Sequence, residues 1–453
     1  MKTWSRSLGF LLAISLLMSS IDSPGVHAQR PSREELVRAD RAKVEAEGFW
    51  IYNDLDKAYT QARQTGKPIV VVLRCIPCEE CVKLDDELVD THPVIRPLLD
   101  QFVCVRVVGT NGLDLNTFQF DTDQSFAVFM LNADKTIYGR FGTRSHRTEW
   151  IGDVSLEGMA AALQGALDLH RQYQQGAASL TAALAKKRGP PLEFPRPELY
   201  PSLKDKYTSR LNYEGEVAKS CIHCHQIGDA RREYYWSQGN PIPLELLYPY
   251  PHPKSIGMVL DPQQRATIKE ILSQTPAEAT GLQPGDKIEA MDRQPLLSMA
   301  DVQWVLHQVP MSGRQIPLTV SRDGQSLELT LDLPEGWRRR DDISWRVSSW
   351  PLARIALGGM RLEPVSDAER KRLGVAGMAL RVKSAGKYGP HATARRQGFQ
   401  PDDIIVAYDG RRDLMTEAAV FEHVTQTHRP GDIVEVEVMR GARRLELKLP
   451  VQP

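Results

Sequence analysis

The sequence predicts a multidomain chain: an α/β domain, a short helical segment and two mainly-β domains. Three observations predict this architecture. The 453 residues are too many for one ordinary hydrophobic core. A β-branched run at 69–74 leads into an amphipathic, cysteine-rich stretch, which is the pattern of a strand followed by a helix. Residues 281–288 (GLQPGDKI) recur at 398–405 (GFQPDDII), which indicates a duplicated domain.

Charge and the N-terminus indicate an exported protein. The 57 basic and 57 acidic side chains cancel, so nothing favours a nucleic-acid partner. Residues 1–28 combine Lys2 and Arg6 with an apolar run at 8–18 and end in Val-His-Ala, which is typical of a secretory signal peptide. We therefore expect a periplasmic or secreted protein without a stable membrane span, because eleven apolar residues are too few to cross a bilayer. An uncleaved N-terminal anchor is the alternative.

Five of the six cysteines fall into two tight clusters, which indicates chemistry rather than long-range structural disulfides. The first cluster is Cys75, Cys78 and Cys81, at the predicted junction of a strand and a helix. A helix N-terminus stabilises a thiolate and so lowers the pKa of a thiol placed there. The pattern favours a redox site, and a structural cluster or a zinc knuckle is the alternative.

The elements around this cluster predict a mixed sheet with helices on both faces. A helix at 29–47 precedes a domain at 48–175, where the strand and helix patterns alternate in the order βαβ and then ββα. This stretch resembles the thioredoxin-like superfamily, in particular its exported members. The resemblance implies that Cys78 is the nucleophile and Cys81 the resolving thiol. Cys75 adds a third thiol, so Cys75 and Cys78 are the alternative redox pair.

The second cluster is Cys221-Ile-His-Cys224-His225, and it follows a proline-rich linker at 176–201. Cys-x-x-Cys-His is the attachment sequence of c-type haem, in which two thioethers hold the porphyrin and the histidine binds the iron. The segment at 202–253 resembles the N-terminal helix and haem motif of cytochromes c, so haem c is the expected cofactor.

For the sixth coordination position of that iron three alternatives remain: Met258, His252 or no protein ligand. The alternatives for the motif are a zinc ion held by the two cysteines with histidines such as His223 or His225, and a second dithiol.

The duplicated segments resemble bacterial, protease-associated PDZ domains at 254–335 and 357–453, joined by a linker at 336–356. The resemblance implies that each binds a protein C-terminus or an extended peptide. In the first copy Ile256, Gly257 and Met258 would form the carboxylate loop, and Val302 and Leu306 would line the groove. In the second copy Gly359 is the counterpart in the loop.

The whole chain resembles a group of exported thioredoxin/PDZ proteins, some of which carry selenocysteine. We therefore expect a thiol-disulfide redox protein, with PDZ domains that hold its thiol or disulfide client. It is not expected to be a protease, because no Gly-x-Ser-x-Gly elbow or Ser/His/Asp set is present. The rival interpretations are a non-catalytic PDZ adaptor with structural cysteines and a haem-based electron carrier.

Overall fold

A computed structural model describes residues 31–74, 76, 93–124, 126–143 and 153–453. The predicted signal peptide and the cysteines at 75, 78 and 81 lie outside the described residues. Within those ranges, no helix combines the length and the apolar character that a membrane crossing requires.

The first domain is built on a five-stranded mixed sheet in the order β1-β3-β2-β4-β5. Strand β3 pairs in parallel with β1 and β2, while β4 is antiparallel to both β2 and β5. Its elements are α1 (Arg33–Glu47), β1 (Ile51–Tyr52), α2 (Leu55–Thr65), β2 (Ile69–Arg74), α3 (Ile95–Leu99), β3 (Val103–Val108), β4 (Phe126–Leu131), β5 (Ile137–Thr143) and α4 (Leu156–Gln174).

Strand β2 lies at the centre of this sheet and is buried along its whole length. Successive side chains of a strand point to opposite faces. Val70 and Val72 therefore belong to the core beneath α4, whereas Val71 and its neighbours belong to the core beneath α2. The β-branched run at 69–74 thus contributes side chains to two hydrophobic cores, one on each face of the sheet. The predicted mixed sheet is confirmed.

The segment predicted to be a separate cytochrome c-like domain packs onto this sheet instead. Ile222 and Ile227 share the α2-side core with Phe118 and Phe129, and the carbonyl of Ile222 accepts a hydrogen bond from Thr110 N at 2.8 Å. The residues just before Cys221, where the resemblance to cytochromes c implies a helix, form a series of turns. The helices here are α5 (Ala178–Ala185), α6 (Cys224–Ser237) and α7 (Leu244–Leu247).

The first repeat forms a four-stranded sheet, β11-β10-β8-β9, with a separate two-stranded sheet of β6 and β7. A 3₁₀ turn at Pro253–Ile256 leads into it. The elements are β6 (Met258–Leu260), β7 (Ile268–Ile271), α8 (Pro276–Ala279), β8 (Lys287–Met291), β9 (Gln294–Pro295), α9 (Met299–His307), β10 (Arg314–Arg322) and β11 (Gln325–Leu333).

The second repeat forms one five-stranded sheet, β12-β13-β14-β15-β16, and the predicted linker before it ends in a helix. The elements are α10 (Ser349–Leu357), β12 (Met360–Pro364), α11 (Asp367–Leu373), β13 (Leu380–Ala385), α12 (Thr393–Arg396), β14 (Ile404–Tyr408), α13 (Glu417–Thr427), β15 (Ile433–Arg440) and β16 (Arg443–Pro450).

The repeated signature has the same structural role in both copies. Asp286 accepts hydrogen bonds from Gln283 N and, at 2.7 Å each, from two nitrogens of Arg322. Asp403 does the same with Gln400 N and Arg440, at 2.7 and 2.8 Å. The aspartate of the signature therefore ties its own loop to the outer hairpin in each repeat, which explains why the same residue types recur there.

A buried ion-pair network joins the first domain to the stretch between the two repeats. The Arg346 guanidinium lies 2.7 Å from Asp121 and 3.2 Å from Asp123, and all three side chains are at most 2 % exposed. Arg346 also donates to the carbonyl of Tyr250, at 3.5 Å. The stretch between the repeats is thus fastened to the first domain by charge-assisted hydrogen bonds.

Candidate peptide-binding site

The loop that opens the first repeat depends on Gly257. Its φ of +94° lies in the left-handed region, and a Cβ at this position would meet Thr275 Oγ1 at 2.0 Å. Its amide donates to the carbonyl of Lys254 at 3.0 Å, and its carbonyl accepts from Leu272 N at 3.0 Å. Only glycine fits this turn, so the sequence fixes the shape of the loop.

The loop leads directly into a strand edge beside a helix. Strand β6 pairs with β7 on one side, and in the described residues this is its only sheet partner. Met258 of β6 belongs to the same buried cluster as Val302 and Leu306, which lie one turn apart on α9. A loop, a free strand edge and an apolar helix face are the three parts that strand-addition peptide binding requires. The structure thus brings the predicted peptide-binding residues of the first copy together.

This groove is closed in the structure. Met258, Val302 and Leu306 have no exposed surface. First-domain residues such as Val154 face Leu260, where β6 ends and α9 begins. The cavity left between them has a volume of only about 10 Å³. That volume is about the minimum for a single water molecule. At the loop end, Asp153 lies 3.6 Å from His252 Nε2.

A buried cluster holds α9 against strand β5. The Asp301 carboxylate accepts a hydrogen bond from Arg140 N at 3.2 Å and lies 2.9 Å from Lys187 Nζ, with both charged side chains 1 % exposed. The Arg140 guanidinium stacks over the Trp304 ring, 3.8 Å from its centroid. The first domain therefore contacts the same helix that supplies one wall of the groove.

Burial dominates the electrostatics of this contact. It lowers the pKa of Lys187, and the neighbouring Asp301 carboxylate opposes this shift. Burial likewise lowers the pKa of Arg140 to about 10. Removing the carboxylate would leave two desolvated cations without their counter-charge, so the contact depends on Asp301.

The second repeat has the corresponding loop, but a side chain occupies one of the amides on its edge strand β12. Gly359 has a φ of +86°, and a Cβ there would lie 2.0 Å from the carbonyl oxygen of His391. In β12, the Leu362 amide already donates to Glu417 Oε1 at 2.7 Å. Burial raises the pKa of Glu417, and the hydrogen bond from Leu362 opposes that shift. Glu417, on α13, thus occupies a donor that an added peptide strand would need.

The residues expected to hold a haem do not fit one. Cys221 is 3 % exposed, and a Cβ on Gly109 would lie 2.7 Å from its sulfur, so the thiol is packed against the β3 end of the sheet. The candidate distal ligands, Met258 and His252, are 0 % and 4 % exposed and belong to the first repeat. Cys224 is half-buried at the start of α6, and the His225 side chain is 41 % exposed.

The described structure does not bring together the ligands expected for a zinc ion at this motif either. Within the described ranges, one group of three His, Cys, Asp or Glu residues has ligand atoms all within 4.8 Å of one another, and it comprises Asp409, His423 and His428. Cys221, Cys224 and His225 do not form such a set. The expected metal ligands are therefore not brought together, while a different set is.

Comparisons with known proteins identify two domains. A family model described as thioredoxin-like matches residues 50–133, and a model described as a PDZ domain matches residues 253–333. Both matches agree with the sheet order of the first domain and with the loop, strand and helix of the first repeat. They give no support to a haem motif, a second PDZ domain or a selenoprotein.

The curated relatives are proteases of two kinds. A probable periplasmic serine protease, do/HhoA-like, of Haemophilus influenzae is 30 % identical over 40 % of this chain and 34 % of its own length. A probable periplasmic serine endoprotease, DegP-like, of Pseudomonas savastanoi is 25 % identical over 41 % of this chain and 37 % of its own. Metalloprotease MmpA of Caulobacter vibrioides is 33 % identical over 24 % and 25 %, respectively. The chain spans about a third of the length of the first two relatives.

Solved structures with partial similarity include the HtrA-type protease AlgW with a tripeptide. That match has a TM-score of 0.20 and 16 % identity, and it covers 30 % of this chain and 52 % of the other. The same protease with a decapeptide matches with a TM-score of 0.19 and 15 % identity, over 30 % and 49 %.

These comparisons correct the functional prediction. The sequence led us to expect a thiol-disulfide redox protein that is not a protease, with an adaptor or an electron carrier as rivals. The relatives are instead named as serine proteases and metalloproteases, and none of the three is named as a redox protein. What is established is the domain content: the chain contains a thioredoxin-like domain at residues 50–133 and a PDZ domain at residues 253–333.

Proposed function

We propose that this protein binds extended peptides in its PDZ domain and takes part in proteolysis in the periplasm. The observation that carries the proposal is the tight loop at Gly257. It lies next to the apolar face of α9 and to a strand edge that has no second partner in the part of the chain that the structure describes. A free C-terminal carboxylate would bind at this loop, where the Gly257 amide would exchange its hydrogen bond to the Lys254 carbonyl for one to the carboxylate, and the peptide would add a strand to β6.

The kinds of relative support a role in recognition. Serine proteases and metalloproteases use different catalytic groups, a nucleophilic hydroxyl in one and a metal-bound water in the other. A chain that is similar to parts of both kinds is best explained by what they have in common, which is the need to hold a peptide. The periplasmic location belongs to the proposal, because two relatives carry that word in their names.

The second repeat has a different role in this proposal. It shares the aspartate–arginine pairing of the first repeat, so we assign it a related fold. Glu417 already holds the Leu362 amide on its β12 edge. We therefore assign peptide binding to the first repeat alone and a bracing role to the second.

The binding test uses the full-length protein and a fluorescent peptide that ends in an apolar residue. We expect saturable anisotropy with the free carboxylate and at least tenfold weaker binding of the C-terminally amidated peptide. Gly257→Ala should abolish binding because its Cβ has no room beside Thr275. The matched control is Gly324→Ala, which carries a similar backbone strain at φ +78° but meets nothing within 4 Å. Equal binding of both peptides would contradict the proposal.

Participation in proteolysis is measured separately. Periplasmic extract from a strain that lacks the protein is mixed with labelled unfolded casein, and wild-type protein or the Gly257→Ala variant is added back. The wild type should accelerate degradation, and the variant should not. Acceleration by both proteins would separate proteolysis from the peptide groove and refute the link between them.

A further inference from the structure

Asp409, His423 and His428 converge on the surface of the second repeat. Asp409 follows β14 in a tight turn, while His423 and His428 lie on and just after the last turn of α13. The Asp409 Oδ2 atom lies 2.8 Å from His423 Nε2 and 3.5 Å from His428 Nε2, and all three ligand atoms are within 4.8 Å of one another. The arrangement is remote from the peptide groove of the first repeat in sequence and belongs to a different sheet.

We propose that these three residues bind a divalent transition-metal ion of the zinc class. Two imidazoles and one carboxylate are ligands that Zn²⁺ and its neighbours in the first transition series accept. Around a tetrahedral zinc ion with bonds of about 2.0 Å, neighbouring ligand atoms are about 3.3 Å apart. The observed separations of 2.8 and 3.5 Å lie on either side of that value.

The hydrogen bonds around His428 orient its ligand atom. The Thr427 hydroxyl has a single proton, which it donates to the carbonyl of His423 at 2.7 Å. The same hydroxyl oxygen lies 2.8 Å from His428 Nδ1, so it accepts the proton of that nitrogen. This hydrogen bond to Nδ1 orients the ring so that Nε2 faces the Asp409 carboxylate at 3.5 Å, and metal-binding histidines are commonly oriented in this way through their second ring nitrogen.

The backbone holds Asp409 in position, and the exposure of the three side chains shows on which side the set is open. Asp409 adopts a φ of +54°, a conformation that aspartate tolerates better than most residues, and its amide donates to the carbonyl of Glu435 at 2.9 Å. The His423 side chain is 7 % exposed, whereas those of Asp409 and His428 are 38 % and 14 % exposed. The set is thus buried on one side and open on the other, so three protein ligands leave a coordination position for water or a partner's side chain.

The test uses the full-length protein, stripped with EDTA and titrated with Zn²⁺ and with Co²⁺ as a spectroscopic probe. Other cysteine and histidine residues can also bind metal, so the quantity measured is the difference from variants. Asp409→Asn keeps the shape of the side chain, and His428→Ala removes a second ligand. Each variant should bind one equivalent of Zn²⁺ fewer than the wild type. Each should also lose the visible absorption of the Co²⁺ ion that has no sulfur ligand.

His391→Ala, a partly exposed histidine of the same repeat, is the matched control and should keep that equivalent. Circular dichroism and the melting temperature in EDTA establish that each variant is folded. The melting temperature of the wild type should rise with Zn²⁺, and the rise should be smaller in both ligand variants. Unchanged stoichiometry and spectra in folded Asp409→Asn and His428→Ala would overturn the proposal and leave a protonated histidine pair as the explanation.

Discussion

At the scale of single residues, Glu193 connects the linker to α6. Its carboxylate accepts two hydrogen bonds from Arg231, both at 2.9 Å, and one each from Tyr200 and Tyr235. Burial raises the pKa of Glu193, but the hydrogen bonds and charge of Arg231 outweigh it and hold the pKa at about 2. A single buried carboxylate thus fastens the chain between the first domain and the first repeat.

We expect this residue to make stability depend on pH. Its pKa in the folded state is about 2, below the ordinary value of 4.5. The stabilisation is therefore complete above pH 4.5 and is lost as the pH falls towards 2. Glu193→Gln should lower the free energy of unfolding at pH 7 by about 3 kcal/mol and flatten its pH dependence in that window. Urea unfolding between pH 2 and 7 measures both quantities.

Glu216→Gln is the control for this prediction, because its ion pair with Lys219 is about 70 % exposed on both sides. Such surface pairs contribute at most about 1 kcal/mol. A similar loss of stability in the two variants would show that the buried environment of Glu193 is not what matters.

At the scale of elements, the contact between α9 and β5 holds in place the helix that supplies one wall of the peptide groove. Asp301→Asn removes the counter-charge of Lys187 and weakens this contact. If peptides bind only when α9 is released, stabilising the open form by about 1.4 kcal/mol raises its population tenfold. The apparent affinity for the peptide then becomes tenfold tighter. We expect Asp301→Asn to bind the fluorescent peptide at least tenfold more tightly than the wild type.

The neighbouring pair of Lys186 and Asp292 supplies the control for the α9 contact. It also lies where the linker meets the first repeat, but Lys186 is 43 % exposed. Asp292→Asn should leave the affinity unchanged. An unchanged affinity in Asp301→Asn, with the protein still folded, would mean that the contact with β5 does not govern access to the groove.

The elements also show which predictions a sequence supports. Strand β2 was predicted because a β-branched run is a local pattern, and the repeat was predicted because the matching segments at 281–288 and 398–405 are visible in the sequence itself. The prediction of a separate cytochrome c-like segment was wrong, because Ile222 and Ile227 pack against a sheet whose strands lie far earlier in the sequence. The sequence analysis also missed Asp409, which only the packing of α13 beside the β14 turn brings to the two histidines. The available signal was the pair of histidines five positions apart at the end of one helix.

At the scale of the whole molecule, Arg346 is the main charged connection between the stretch that joins the repeats and the first domain. Arg346→Met would leave Asp121 and Asp123 buried without a cation. Breaking a buried pair in this way costs about 3–5 kcal/mol. We expect a single urea unfolding transition in the wild type and two separate transitions in Arg346→Met.

Arg339→Met is the comparison for Arg346→Met. Arg339 pairs with Glu422 but is 50 % exposed, so its loss should cost less than about 1 kcal/mol and keep one transition. One shared transition in both variants would mean that the domains are coupled through their apolar contacts rather than through Arg346.

The packing of residues 222–230 onto the first sheet has a practical consequence for dividing the chain. Phe118, Phe120 and Phe129 have part of their covering supplied by Ile222, Ile227 and Ala230, which come from beyond the linker. A fragment that stops at 175 would present this aromatic surface to water and would be prone to self-association. A fragment that contains the thioredoxin-like domain should therefore extend at least through Ala230, the last of these covering residues.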